Sequence, residues 1–240
     1  MNKPRSRRPS GATPARVSAP GKVRIIAGRW RGTRLDVADA PGLRPTSDRV
    51  RETLFNWLLP MLPGARALDL FAGSGALGLE AVSRGAGSAV LVERDPTLAA
   101  ALRAIAEKLP GGNAVAVVQA DALEWLGSLP DASFDLAFVD PPFAAQLWQA
   151  VVPRLLPKLV ANAWLYIESP PEAAPILPAE WALHREGRTR EVRYALYRRR
   201  PATVGQHAAP PHAVRQPAPA ATLATDPAGP RASPLEPANE

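Results

Sequence analysis

Cysteine is absent from this chain. A disulfide framework, a thiolate-ligated zinc and a thiol nucleophile are therefore excluded. Histidine is scarce as well. His184, His207 and His212 are scattered, two of them close to the C-terminus, so no histidine-based metal site is expected. No apolar run approaches the roughly 20 residues that span a bilayer. Ser10 to Gly21 holds no hydrophobic segment of the kind a secretory signal needs. The expectation is a cytoplasmic protein without metal or membrane contact. The acid-free, Arg/Ser-rich N-terminus is compatible with an organellar transit peptide and with an RNA-touching tail alike, and composition does not separate the two.

Acidic residues are the minority sign, 22 against 29 Lys and Arg. The formal charge of +7 favours a polyanionic partner, because cationic side chains that neutralise phosphates release condensed counterions. Proline is abundant, at 28, and crowds the two ends. Residues 1–21 and 201–240 accordingly read as disordered tails, the first basic and the second Pro/Ala-rich. The folded body is placed at residues 22–200, and a monomer is expected.

Within that body, Val23 to Val37 has the pattern of a small hairpin turned at Gly28 or Gly32. Arg24, Arg29, Arg31 and Arg34 stud it, with Trp30 among them. Ser47 and Asp48 can cap a helix to about Leu59, with Val50, Leu54, Trp57 and Leu58 on its buried face. An alternation follows. Strands are expected at Ala65–Leu70, Ala89–Val92, Ala114–Gln119, Phe134–Val139 and Ala163–Glu168. Helices are expected at Ala76–Arg84, Pro96–Leu109, Ala122–Leu126 and Ala145–Leu156. Near-continuous apolar strands alternating with helices indicate an α/β fold with a parallel sheet covered on both faces. Leu183–Glu186 and Val192–Tyr197 break the alternation and read as a terminal hairpin around Gly187.

Two strand ends carry candidate chemistry. Asp69-Leu70-Phe71-Ala72-Gly73-Ser74-Gly75 closes the first of the alternating strands. Phe71, Gly73, Ser74 and Gly75 would form a turn that lets a ligand approach the backbone, as happens at strand carboxyl ends in open α/β sheets. With Gly78 the stretch also fits G-x-G-x-x-G, and Glu93 stands at the distance of a ribose-binding carboxylate, so a nicotinamide dinucleotide competes. Charge favours S-adenosylmethionine: Asp69 would repel a pyrophosphate but suits a sulfonium and an ammonium. Glu93, with Arg94 beside it, can take ribose hydroxyls. Asp121 either receives the adenine amino group, with Ala122 supplying a backbone N–H, or caps the following helix.

The other motif is Asp140-Pro141-Pro142-Phe143. The amine of a nucleic-acid base is a poor nucleophile because its lone pair is delocalised. The Asp140 carboxylate and the Pro141 carbonyl are acceptors that draw its hydrogens out of the ring plane. Pro141 and Pro142 stiffen the loop and remove two donors, and Phe143 offers a ring on which a flipped base can stack. Arg44, Arg49 and Arg51 add positive charge near the start of the first helix, and Arg51 and Glu52 are also candidates for a structural salt-bridge network near the cofactor.

These residues resemble the RsmD family of bacterial ribosomal RNA guanine-N2 methyltransferases. The resemblance runs from Arg24 to about Tyr197. It rests on Arg24-Ile25-Ile26-Ala27-Gly28 with Trp30-Arg31-Gly32, on Gly42-Leu43-Arg44-Pro45-Thr46, on Asp48 to Leu58, on Asp69 to Glu80 and on Asp140 to Phe143. It implies a Rossmann-like class I methyltransferase fold: a seven-stranded mixed sheet with an antiparallel final strand, preceded by the basic hairpin and helix of residues 22–60. It implies the substrate too, a particular guanine in 16S ribosomal RNA taken from an assembled or nearly assembled small subunit. Asp140 to Phe143 then form the target-base loop. Asp69, Phe71, Gly73, Ser74, Gly75, Glu93, Arg94, Asp121 and Ala122 form the donor pocket, and Arg24, Arg29, Trp30, Arg31, Arg34, Arg44 and Arg49 the RNA contacts. A DNA adenine or cytosine amino-methyltransferase and a non-catalytic RNA-binding assembly factor on the same fold are the competing readings.

Overall fold

A computed structural model describes residues 22–36, 47–142 and 147–200 of the chain. The expectations for the two tails, for Val37, for Arg44 and for Phe143 lie outside those residues.

The first of the parallel strands, β3 (Arg66–Asp69), is apolar because helices cover both of its sides. It is flanked by β4 (Ser88–Glu93) and β6 (Phe134–Val139), both parallel to it. Strands β5 (Val115–Gln119) and β7 (Leu159–Ser169) extend the parallel set outward. The terminal hairpin, β8 (Trp181–Arg188) and β9 (Arg193–Arg199), adds to β7 with β9 antiparallel and inserted between them. The order is β5-β4-β3-β6-β7-β9-β8. This is the seven-stranded mixed sheet that the resemblance implied, with the final strand β9 antiparallel to its neighbours.

Helices α2 (Ala76–Ser83) and α3 (Pro96–Lys108) join successive strands, as do the shorter α4 (Ala122–Ser128) and α5 (Trp148–Leu155). Helix α1 (Asp48–Leu58) begins where Ser47 Oγ accepts the Val50 N–H, and it buries Leu54, Phe55 and Leu58. Two apolar layers result, one on each face of the sheet. The layer under α1, α2 and α3 includes Leu54, Phe55, Phe138 and Tyr166. The layer under α4 and α5 includes Leu68, Val139, Val151 and Ile167. Strand β7 starts four residues earlier than the expected Ala163, because a positive φ at Asn162 and a register shift opposite Phe134 and Leu136 let it bend and continue.

The N-terminal hairpin is short. β1 (Lys22–Arg24) pairs with β2 (Arg34–Asp36). Two expectations are corrected here. Trp30 is not a stacking surface for RNA. It is 2% exposed, its indole N–H donates to the Pro110 carbonyl at 2.9 Å, and it lies in the apolar layer. An indole carries more apolar area than a small hairpin can leave in water, and Pro110 satisfies its one donor. Gly187 is not the turn of the final hairpin but part of β8. A Cβ there would stand 2.2 Å from the Tyr194 ring, so the glycine makes room for that ring. The turn lies beyond it, where Thr189 Oγ1 accepts the N–H groups of Glu191 and Val192.

Candidate active site

The turn after β3 is tied to both neighbouring strands. Leu70 N–H donates to the Phe138 carbonyl of β6 at 3.1 Å, and Ala72 N–H to the Val92 carbonyl of β4 at 2.9 Å. Gly73 and Gly75 take φ values of +50° and +74°, which a side chain would resist. The third glycine serves packing instead. A Cβ on Gly78 would meet Leu91 Cδ1 at 2.6 Å, so Gly78 lets α2 sit close against β4.

Three carboxylates gather along this edge. Asp69 is 2% exposed, and its Oδ2 accepts the Gly78 N–H at 2.9 Å. Burial, with the Glu93 charge adding to it, pushes the Asp69 carboxyl up to about 7, against the partial restraint of the Gly78 N–H. Asp69 thus lies beneath the glycine turn rather than on an open wall. Glu93 accepts the Gly73 N–H at 2.8 Å through Oε2 and the Asp95 N–H at 2.8 Å through Oε1, so it closes the turn and the loop after β4 at once. Asp121 caps α4 through Oδ1, which takes the Leu123 N–H at 2.9 Å. Of the two alternatives for Asp121, the helix cap is formed. Phe71 and Ser74 are half-buried in the turn, Ala122 is buried at the start of α4, and Arg94 is exposed.

The Asp140 loop shares this edge. Strands β3 and β6 are neighbours, with Asp69 opposite Phe138. Both motifs therefore leave the same end of adjacent strands, which is the arrangement a transfer between them requires. Asp140 is half-buried, Pro141 buried and Pro142 exposed. Phe138 below them packs edge-on against Tyr166 and tilted against Phe55, so the loop stands on an aromatic base.

The basic residues divide. Helix α2 rises about 12 Å from the glycine turn to Ser83, and the hairpin turn docks at that far end. Arg29 N–H donates to the Ser83 carbonyl, Trp30 N–H to Ser83 Oγ, and Ser83 Oγ–H to the Ala27 carbonyl. Exposed Arg29, stacked over Trp30, and exposed Arg31 thus belong to the edge opposite the carboxylates. Arg24 and Arg34 stand opposite each other in the β1–β2 register, both exposed, and Arg24 also pairs with Asp48 at 3.2 Å. Arg49 is exposed on α1.

Sequence reasoning missed one anchor, Glu80. It is fully buried in α2 and accepts the Ile26 and Ala27 N–H groups at 2.7 and 3.0 Å and Arg84 Nε at 2.6 Å. Arg51, buried on α1, faces it at 3.6 Å, so the structural ion pair expected of Arg51 is made with Glu80, while Glu52 is exposed. The available signal was an acidic residue on an otherwise apolar helix.

The family model described as Conserved hypothetical protein 95 matches residues 23–198. Ribosomal RNA small subunit methyltransferase D of Escherichia coli (strain K12) is 47% identical over 185 residues, covering 76% of this chain and 92% of that protein. The chain belongs to the RsmD methyltransferase family. The same-named protein of Haemophilus influenzae is 42% identical, over 75% of this chain and 95% of its own length. The solved structure of Escherichia coli yhhF superposes with a TM-score of 0.67 at 46% identity, covering 75% of this chain and 99% of that one. The chain is thus a methyltransferase of the class I fold, and S-adenosylmethionine is its methyl donor. The edge fits that molecule. Its carboxylates offer acceptors to ribose hydroxyls, an adenine amine and an ammonium, and they would repel a pyrophosphate. Among the described residues no group of carboxylates and histidines is placed to hold a metal, and no helix is long and apolar enough to cross a membrane.

Proposed function

We propose that this methyltransferase modifies the exocyclic N2 of a guanine in 16S ribosomal RNA within the small subunit, acting as a monomer in the cytoplasm. One observation carries the chemistry: the glycine turn and the Asp-Pro-Pro loop leave the same end of adjacent strands β3 and β6. The substrate class is supported by the 47% identity to an enzyme whose name gives small-subunit ribosomal RNA.

In this reading residues 22–200 form the catalytic body, and 1–21 and 201–240 are tails. Gly73, Gly75, Phe71 and Ser74 cradle the donor, Glu93 takes its ribose hydroxyls, and Asp121 Oδ2 with the Ala122 N–H meets its adenine. Asp69 adds negative charge from beneath, and Arg94 borders the pocket. Bound there, S-adenosylmethionine supplies an electrophilic methyl on sulfur. Asp140 and the Pro141 carbonyl accept the two amine hydrogens and turn the nitrogen lone pair toward that methyl. Pro142 keeps the loop rigid enough for in-line attack, and Phe143 stacks the base. Arg24, Arg34, Arg44 and Arg49 hold phosphates. Like charges directly opposite on two strands repel, so the Arg24–Arg34 pair gains from a phosphate between them.

The test is to incubate small subunits from a strain lacking the enzyme with labelled methyl donor, then to digest the RNA and map the label by mass spectrometry. Label on one guanine N2 supports the proposal. Label on adenine or cytosine, or transfer to duplex DNA instead of subunits, overturns it.

A further inference from the structure

Glu168 is a carboxylate with only 3% of its surface exposed, and the transfer scheme above makes no use of it. Carboxylates are seldom buried without a partner. Its place follows from the pleat of the sheet. Phe138 pairs with Tyr166 and Val139 with Ile167 across β6 and β7. Side chains alternate along a strand, so Asp140, one residue beyond β6, continues the row that contains Glu168. On the other side Glu168 is opposite Tyr194 of β9. Tyr166, two residues back on the same face, donates its hydroxyl to Glu168 Oε1 at 2.8 Å. Burial raises the Tyr166 hydroxyl well above its ordinary value, and the charges of Glu168, Asp140 and Tyr194 add to the rise, so the phenol remains a donor. A hydrogen bond donated to a carboxylate favours its ionised form. The Trp148 indole N–H fixes the backbone at this point by donating to the Glu168 carbonyl at 2.8 Å.

We infer that Glu168 is a positioning residue for methyl transfer: a fixed negative charge beside Asp140 that makes the Asp140 carboxylate a stronger proton acceptor toward the base amine. The inference rests on the reading of Asp140 given above and extends it. Two carboxylates side by side in a poorly hydrated site resist simultaneous ionisation, so a proton arriving on Asp140 is held more firmly while Glu168 is charged. In the reaction the N2–CH3 bond forms as the S–CH3 bond breaks with its electron pair left on sulfur. The nitrogen then sheds its N–H proton to Asp140, which releases it to solvent. Asp140 from β6, Tyr166 on the same strand and Tyr194 from β9 are titratable groups of this cluster. From α1 the Trp57 ring, stacked on Tyr194 at 5.7 Å between centroids, brings no charge.

Glu168→Gln keeps the size and an acceptor for the Tyr166 hydroxyl while removing the charge. In single-turnover transfer to small subunits, the acid limb of its rate profile moves lower by about one pH unit and its plateau rate falls about tenfold. The Kd for the donor and the KM for subunits stay within about twofold, since Glu168 touches neither ligand. Should that variant fold poorly, Tyr166→Phe, which withdraws the donor that keeps Glu168 ionised, shifts the limb in the same direction. An unmoved limb, whether the plateau falls or not, overturns the inference. Wild-type protein that methylates no subunit overturns instead the function on which it rests, so the two failures are distinguishable.

Discussion

Asp69 holds a carboxyl group under the glycine turn with almost no water around it, and its titration near pH 7 gives the site a pH dependence with a definite sign. The folded value lies above the usual carboxylate range. The stability this group contributes to the free protein is therefore full below about pH 4 and is lost as pH rises through about 7. A cationic donor favours the ionised form, so binding releases a proton below pH 7. Donor affinity should rise with pH by up to about tenfold per unit between pH 5 and 7 and level off above. Titration calorimetry in buffers of differing ionisation enthalpy would detect the released proton. Asp69→Asn should flatten the pH profile and weaken binding at pH 8, and an unchanged slope in that variant would remove Asp69 from the donor pocket. Asp140 is expected to behave oppositely. Asp140→Ala should cost about a hundredfold or more in turnover while leaving donor affinity within about twofold, because its carboxylate meets the amine and not the donor. Near-normal transfer by that variant would contradict its role. Both carboxylates were legible in the sequence as strand-end residues. What burial does to Asp69 was not, since a strand tip reads equally well as open or covered until the turn above it is placed.

The N-terminal hairpin and α2 act as one element, locked by bonds that local sequence cannot reveal because their partners lie more than 50 positions apart. Glu80 receives two hairpin N–H groups, and Gly28 at φ +82° passes so close to α2 that a Cβ would stand 1.9 Å from the Ser83 carbonyl oxygen. Gly28→Ala combines a left-handed backbone with a backbone clash and should cost about 3 kcal/mol. Glu80→Ala leaves buried Arg51 without its facing carboxylate and should cost about 3–5 kcal/mol. Denaturant titration of both variants checks this, and losses under about 1 kcal/mol would mean the hairpin docks only loosely. Helices and parallel strands were readable because their apolar periods are strong, and α1, α2, α3 and α4 each start at a capping side chain or a glycine. The final hairpin was misjudged at Gly187, since a glycine read locally signals a turn, whereas here it answers a tyrosine ring on the next strand. Trp30 was misjudged for a related reason. Flanking arginines made it look like an RNA platform, but Pro110 and the apolar layer claim it through contacts some 80 positions away.

Over the whole molecule, charge and chemistry are separated. The carboxylates and the Asp140 loop occupy the edge formed by the strand carboxyl ends, while Arg29 and Arg31 sit at the other end of α2 with the hairpin turn. A small ligand would not span that separation, whereas a folded RNA can. Each arginine that neutralises a phosphate contributes roughly −0.7 to −0.9 to the slope of log affinity against log salt. If subunit RNA reaches the far edge, the Arg29→Ala, Arg31→Ala double variant should bind small subunits with a slope shallower by about 1.5. Its KM should rise several-fold at physiological salt, with kcat within about twofold, because neither residue approaches the reacting amine. Filter binding between 50 and 200 mM salt, beside steady-state kinetics, measures both quantities. A slope equal to wild type would mean that the far-edge arginines serve only to seat the hairpin, Arg29 over Trp30 and against Gly111. Among the described residues the phosphate contacts would then be confined to Arg24, Arg34 and Arg49. A drop in kcat with the slope unchanged would point to a different coupling, in which the hairpin transmits strain through Ser83 and Glu80 along α2 to the glycine turn.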